Sequence, residues 1–267
     1  MNIQLTDPTN IQRFSNLFRY LQFISDHITL EFSPDKLFVQ GIDQSHACLF
    51  EIVIKKSWFD VYNVTSTHVI SLSCSFVYRV LNTIEDTHII NMSYQAGDDL
   101  LSLSLLSDNA HIINKYFELP LINICYDKIS LPTCEYQVDF TINSRLIASL
   151  VDQLSQFDEQ LKIICNEEHI YMESSGVEGK MRAEISFDDL DEYSIEEPSE
   201  DTSNTVICCF NLKQFKDMCA FYRISENVTV NLHKDKPIEL DFVINSPDTE
   251  DNMLSIKLFL SPRIVED

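Results

Sequence analysis

The chain has 267 residues, 45% hydrophobic and 23% charged, the make-up of folded protein rather than of a disordered tail. Its net charge of −23 excludes a generally basic nucleic-acid-binding surface, because phosphate contacts need positive potential, so any such surface has to be local. Only four glycines are present, too few for the glycine-rich cradles of common nucleotide-binding loops, and no apolar run approaches the ~20 residues that span a bilayer.

In chain order, the N-terminus Met-Asn-Ile-Gln-Leu-Thr-Asp-Pro has neither a basic nor an apolar leader region, so no signal peptide is expected. Apolar residues at Phe14, Leu17, Phe18, Leu21 and Ile24 follow the period of an amphipathic helix, with Asn10 as the expected N-cap. Strand-like runs follow at Ile28–Phe32, Leu37–Val39 and Glu51-Ile52. A second helix is expected over Ser73–Ile84, with Val77, Val80, Leu81 and Ile84 on one face. Strands then follow at Ile89–Met92, Leu100–Leu106 and His111–Phe117. Next comes Glu118–Pro132, with a proline near each end and apolar residues at Leu119, Leu121, Ile122, Ile124, Ile129 and Leu131. A connector this apolar, with no clear period, reads as a strap lying on a surface.

Beyond the strap the pattern starts again. At an offset of 133, Asn10 falls on Asn143, Phe14 on Ile147, Phe18 on Val151 and Leu21 on Leu154; Ile28–Phe32 falls on Leu161–Cys165, and Leu37–Val39 on Ile170–Met172. A further helix is expected over Asn211–Tyr222, then strands at Val228–Leu232, Ile238–Ile244 and Met253–Leu260. Eight acidic residues and no basic one lie between Asp188 and Asp201, which reads as a solvated loop. The fold class is α+β, with two tandem similar domains, each carrying two helices packed on antiparallel sheets. The expected division is 1–117 for the first domain, 118–132 for the strap and 133–267 for the second.

Chemistry is sparse. The eight cysteines read as reduced thiols, with Cys208-Cys209 as strand filler. The seven histidines show no His-x-x-x-His pattern and the cysteines no Cys-x-x-Cys; a Gly-x-Ser-x-Gly elbow is also absent. No enzymatic activity, metal or cofactor is expected, although a metal-dependent hydrolase built on the acidic residues is a reading that an assay with divalent ions would test.

The run Leu37-Phe-Val-Gln-Gly-Ile-Asp-Gln-Ser-His-Ala47, with Phe259-Leu-Ser-Pro-Arg-Ile264 and Leu131-Pro-x-x-Glu-Tyr136, resembles the sliding clamps of the proliferating cell nuclear antigen type. The likeness covers essentially the whole chain and agrees with the internal repeat. It implies the DNA clamp fold, assembled as a homotrimeric, pseudo-six-fold ring around duplex DNA, with helices lining the hole. The implied function is that of a DNA polymerase processivity factor, also docking clamp loader, flap nuclease and ligase, inside the cell at a nucleus or viral replication site. The scarce glycines and thin basic lining fit a divergent member, such as one encoded by a large DNA virus. The alternative is a subunit of a checkpoint-type heterotrimeric clamp, or a clamp-derived factor that does not encircle DNA.

The expected helices hold six basic and two acidic residues, +4 in a chain of −23. The DNA-facing candidates are Arg13, Arg19, Arg79, Arg145, Lys213 and Lys216; ordinary solvated-face charges are the competing reading. Asn16, Asn82, Ser149, Asp152 and Ala220 stand where the resemblance leads one to expect further cations. By the same resemblance, the strand His111–Phe117 of one protomer pairs with Gly179–Ile185 of the next, through Ile113, Tyr116, Phe117, Lys180, Met181 and Arg182. A groove under the strap would take a short peptide with a glutamine followed by an aliphatic and two aromatic residues. Its floor would be Ile42, His46, Leu49, Pro237, Phe259 and Pro262, and its lid Ile124, Ile129, Leu131 and Pro132.

Overall fold

Local chemistry sets the first helix. The computed structural model describes residues 1–124, 128–131, 135–196, 205–245 and 252–263. After strand β1 (Asn2–Leu5), helix α1 spans Pro8–Ile24. The Asp7 carboxylate accepts from the Asn10 backbone N–H at 2.8 Å, and Pro8 occupies the first turn, where an N–H would lack an intrahelical partner. Asn10 is therefore a helical residue and not the cap: the match to Asn143 placed the start of the helix about a turn too late. In the second repeat Asn143 is the cap, accepting from the N–H groups of Arg145 and Leu146.

The first repeat continues with β2 (His27–Phe32), β3 (Lys36–Ile42), β4 (Cys48–Lys55), β5 (Val61–Asn63), β6 (His68–Ser73), α2 (Cys74–Leu81), β7 (Ile89–Ser93), β8 (Leu100–Leu106) and β9 (Lys115–Pro120). The second begins with β10 (Val138–Asn143), α3 (Ser144–Leu154), β11 (Gln160–Cys165), β12 (Ile170–Gly176), β13 (Gly179–Ile185) and β14 (Leu190–Ile195). It ends with β15 (Val206–Asn211), α4 (Leu212–Cys219), β16 (Asn227–Leu232), β17 (Ile238–Asn245) and β18 (Asn252–Leu260). Among the described residues both repeats have nine strands and two helices in the same order. Ser73 and Asn211, the caps of α2 and α4, are also equivalent.

Several expected boundaries move for identifiable reasons. Helix α2 stops at Leu81 instead of Ile84, where the Thr83 hydroxyl donates to the Val80 carbonyl at 2.8 Å. Helix α4 stops at Cys219 and passes into a 3-10 turn, Ala220–Arg223, so it does not extend to Tyr222. The closing strand of the first repeat begins at Lys115, not His111. Asn109 accepts from the His111 N–H and Asn114 from the Ser107 N–H, so side chains take up backbone groups that a strand ladder would otherwise use. The same strand runs on to Pro120, and the first three residues of the expected strap, Glu118–Pro120, belong to it. The acidic stretch is not a loop throughout: residues 190–195 form β14, paired with β10, although Asp188, Asp189, Asp191 and Glu192 remain exposed.

The chain divides into two units, Met1–Gln44 with Phe50–Ile129 and Val243–Ile256, and Ser45–Leu49 with Ser130–Phe242 and Lys257–Asp267. In the first, an antiparallel sheet runs β5-β1-β7-β8-β9, and β2 pairs with both β3 and β6. Helices α1 and α2 pack on each other, burying Phe14, Leu17, Phe18 and Leu21 of α1 and Val77, Val80 and Leu81 of α2. In the second unit, β10 pairs with β14 and β16, β16 with β17, and a four-stranded sheet runs β13-β12-β11-β15. Helix α3 buries Ile147, Val151 and Leu154, and the adjacent α4 buries Phe215, Met218 and Cys219. Cys208 and Cys209 are both buried free thiols in β15, and burial pushes the Cys208 thiol up to about 12.

Gly176, at the end of β12, is held by packing: a Cβ there would meet the Phe157 backbone carbonyl oxygen at 2.2 Å. Backbone cannot yield as a flexible side chain can, so Gly176→Ala is expected to destabilise the second unit by about 1–3 kcal/mol. Chemical denaturation followed by Tyr and Phe signals of this unit checks it.

Candidate nucleic-acid interface and docking surface

The basic candidates all lie on helices, at positions set by the burial of the opposite face. Arg13 and Arg19 on α1 are half-buried, and the Arg19 guanidinium lies 5.9 Å from the Tyr20 ring centre. Arg79 on α2, Arg145 on α3 and Lys213 and Lys216 on α4 are exposed. Arg79 extends over the Phe76 ring at 5.3 Å. Among the described residues no ion pair engages Arg79 or Arg145. Lys216 differs: it pairs with Asp152 of α3 and donates to the Ser155 hydroxyl, so much of its charge is spent within the unit. Asp217, between Lys213 and Lys216 in sequence, is half-buried, and that burial raises its carboxyl above the usual range against the pull of the two lysines. Asn16, compared above with outward positions, is instead buried, and its side-chain oxygen accepts from Gln12.

The two strands expected to join protomers are both sheet edges. Among the described residues β9 ends its sheet, paired only with β8, and β13 ends its own, paired only with β12. Tyr116 is 73% exposed on β9, whereas Phe117 is half-buried on the side facing Leu103 of β8. Ile113 is 75% exposed but sits in the turn before the strand. Lys115 anchors that end of β9, donating to the Thr83 carbonyl and the Glu85 carboxylate, both at 2.6 Å. On β13, Lys180 and Arg182 are exposed on one face and Met181 is half-buried on the other. Glu173 of β12, itself buried, accepts from Lys180 at 3.0 Å and from Arg182 at 2.7 Å.

The groove candidates are spread over both units. In the first, Ile42 is half-buried at the end of β3, and Ile124 and Ile129 of the strap are 38% and 39% exposed. In the second, Leu131 is half-buried, His46 and Pro237 are exposed, Leu49 is buried, and Phe259 and Pro262 are half-buried. Pro132 lies outside the described residues. Within the second unit the Ser261 N–H donates to the Ala47 carbonyl at 2.9 Å, which ties the residues after β18 to the His46 loop. His46 holds a positive φ of 57°, uncommon for a residue with a side chain.

Sequence reasoning missed the residue that holds the strap, Gln40 of β3. Its side chain is buried and makes two hydrogen bonds to Ile129, one to each backbone polar group. The available signal was a glutamine in the middle of an otherwise apolar strand, where burial demands a partner. A cleft of about 220 Å³ opens between the start of α1 and the loop after α2, lined in part by Gln12, Asn82 and Glu85. His88 at its edge is buried, with the Glu85 N–H bonded to one ring nitrogen at 2.9 Å and the Ile113 carbonyl 3.0 Å from the other. Among the described residues no group of three or more His, Cys, Asp or Glu side chains is arranged to hold a metal ion, and no helix is long and apolar enough to cross a membrane.

A family profile described as Rad9 matches residues 14–254. The "Probable DNA polymerase sliding clamp 2" of Paramecium bursaria Chlorella virus 1 is 23% identical over 257 residues, which is 96% of this chain and 89% of that protein. The "DNA polymerase sliding clamp" of Methanothermobacter thermautotrophicus is 23% identical over 261 residues, covering 98% of this chain and 97% of the relative. Among solved structures, PCNA from Thermococcus kodakaraensis superposes with a TM-score of 0.83 at 16% identity, over 98% of this chain and 99% of its own. Proliferating Cellular Nuclear Antigen from Entamoeba histolytica does so with a TM-score of 0.83 at 17% identity, over 98% of each. The chain shares the fold of these proteins from end to end.

Proposed function

We propose, from the premise that the chain belongs to the Rad9 family, that it is a DNA sliding clamp: a ring-forming processivity factor for a DNA polymerase and a docking platform for other replication proteins. The observation that carries this reading is the whole-length likeness to proteins named as sliding clamps, one of them viral, in a chain of the same fold. The charge pattern supports it independently. In a protein of net charge −23 the four helices carry six basic residues and the expected helical segments only two acidic ones, a local positive balance of the kind that loose, sequence-blind contact with phosphates requires. Acidic surface elsewhere, such as Asp188–Glu192, would repel DNA from the outside. The chemistry asked of a clamp is topological, so no catalytic centre is needed. Action on DNA would put the protein inside the cell, at a nucleus or a viral replication site.

Arg13, Arg19, Arg79, Arg145 and Lys213 are the proposed DNA-facing residues, with Lys216 contributing less because Asp152 already holds it. Ring closure is proposed through the free edges β9 and β13, whose unpaired backbone groups would complete each other's ladders head to tail. Tyr116, Ile113 and Phe117 would meet Lys180, Met181 and Arg182. Polymerase, loader, nuclease and ligase are proposed to bind through a short glutamine/aromatic motif. Ile124, Ile129, Leu131 and Pro132 would act as lid and Ile42, His46, Leu49, Pro237, Phe259 and Pro262 as floor. A second reading, one subunit of a heterotrimeric clamp, is favoured only by the thin basic lining.

Three outcomes are expected. Arg79→Glu with Arg145→Glu lowers the slope of log affinity for duplex DNA against log salt by about 2, as loss of two phosphate contacts demands; an unchanged slope in an anisotropy titration would remove these residues from the interface. The mass in solution is about three times 30.9 kDa, and Tyr116→Asp returns it to the monomer value by light scattering; a wild-type monomer would favour the second reading. Ile129→Ala or Phe259→Ala costs roughly 1–3 kcal/mol in binding of the motif peptide, and unchanged affinity in both would discard the groove.

A further inference from the structure

The strap is held to the first unit at three places. Its Ile122 N–H donates to the Ser71 carbonyl of β6 at 2.8 Å. The Lys128 ammonium sits 3.8 Å from the Phe38 ring centre, with the Glu31 carboxylate at 3.9 Å. Gln40 supplies the third and most directional hold. Its Oε1 accepts from the Ile129 N–H at 2.8 Å, and its Nε2 donates to the Ile129 carbonyl at 2.9 Å. Those are the two bonds that a residue of a neighbouring strand would make, here supplied by one side chain that is only 3% exposed. The Ile129 backbone is thus immobilised from beneath while its own side chain stays 39% exposed.

The second repeat shows that this role depends on residue type. Leu37 to Gln40 is equivalent to Ile170 to Glu173, so Glu173 occupies the place of Gln40. Both are buried. A carboxylate can accept but cannot donate, so Glu173 cannot hold an N–H and a carbonyl together. It instead gathers Lys180 and Arg182 from its own neighbouring strand. Arg182 then lies 4.0 Å from the Tyr171 ring, as Lys128 of the strap lies over the equivalent Phe38. One buried position thus serves the strap in one repeat and the free edge strand in the other.

We infer that Gln40 is a positioning residue for partner docking: by clipping Ile129 to β3 it pre-organises the strap, so that an incoming peptide meets an apolar side chain already in place. The inference rests on the docking reading given above. Binding where the backbone at Ile129 is already held avoids the entropy of fixing it, and that saving is lost when the clip is removed.

The test compares wild type with Gln40→Met, which keeps the side-chain length and removes both bonds to Ile129 along with a longer one to Glu51 at 3.4 Å, and Gln40→Glu, which keeps the acceptor and sets a carboxylate against the Ile129 carbonyl and the Glu51 carboxylate. Two readouts are taken: binding of a labelled synthetic peptide with glutamine, an aliphatic and two aromatic residues, and amide hydrogen exchange. Both variants are expected to bind about tenfold more weakly. The Ile129 amide should exchange faster in Gln40→Met, with the amides of Phe38 and Val39 unchanged, a pattern that general destabilisation would not produce. Unchanged affinity with faster Ile129 exchange overturns the positioning role, and unchanged exchange in Gln40→Met overturns the clip itself. Wild-type protein that fails to bind the peptide overturns the docking reading and the positioning role with it, while exchange at Ile129 still decides whether Gln40 holds the strap.

Discussion

The apolar stripe on each of the four helices has to be buried, and the placing of charge follows from that requirement. Phe14, Phe18 and Leu21 turn α1 inward, and Ile147, Val151 and Leu154 do the same for α3. Side chains at intervening positions are then left on the outer face, where Arg79, Arg145 and Lys213 stand. Burial of each stripe is worth several kcal/mol, on the order of 1.5–3 per large apolar side chain, far more than the repulsion among a few exposed cations. A positive face can therefore be maintained on a chain whose total charge is strongly negative.

The same constraint is met twice, because the chain contains two copies of one arrangement, and one buried polar position differs between them. Phe14, Phe18 and Leu21 have buried counterparts in Ile147, Val151 and Leu154, and the helix caps Ser73 and Asn211 also correspond. Gln40 and Glu173 do not keep the same work. A buried polar group must find a partner, since leaving it unmet costs about 1–3 kcal/mol, so each change of residue at this position redirects the chain that lies against it. Gln40 bonds the strap at Ile129, and Glu173 bonds the β13 edge at Lys180 and Arg182.

Much of the fold was legible in sequence. The helical period and the alternation of the strands are properties of neighbouring residues, the offset that brings Phe14 onto Ile147 is a comparison of the sequence with itself, and all three stand without tertiary information. Errors gathered at element ends. Asp7 displaced Asn10 as cap because Pro8 begins the helix, and His111–Asn114 left the closing strand because Asn109 and Asn114 bond to backbone locally. These depend on which of several nearby side chains reaches a free backbone group, and spacing does not decide that.

By itself, then, the sequence determined the repeated α+β plan, the sign of charge on each helix face and the family resemblance, because periodicity and composition are local. Only the tertiary structure decided that β9 and β13 are open edges, that Asp152 holds Lys216, that Asn16 is buried, and that Gln40 grips Ile129 across 89 residues of chain. Each of these joins residues far apart in sequence, or depends on how one element seats against another, and a hydrogen bond or ion pair of that kind exists only once packing has brought its two partners within reach.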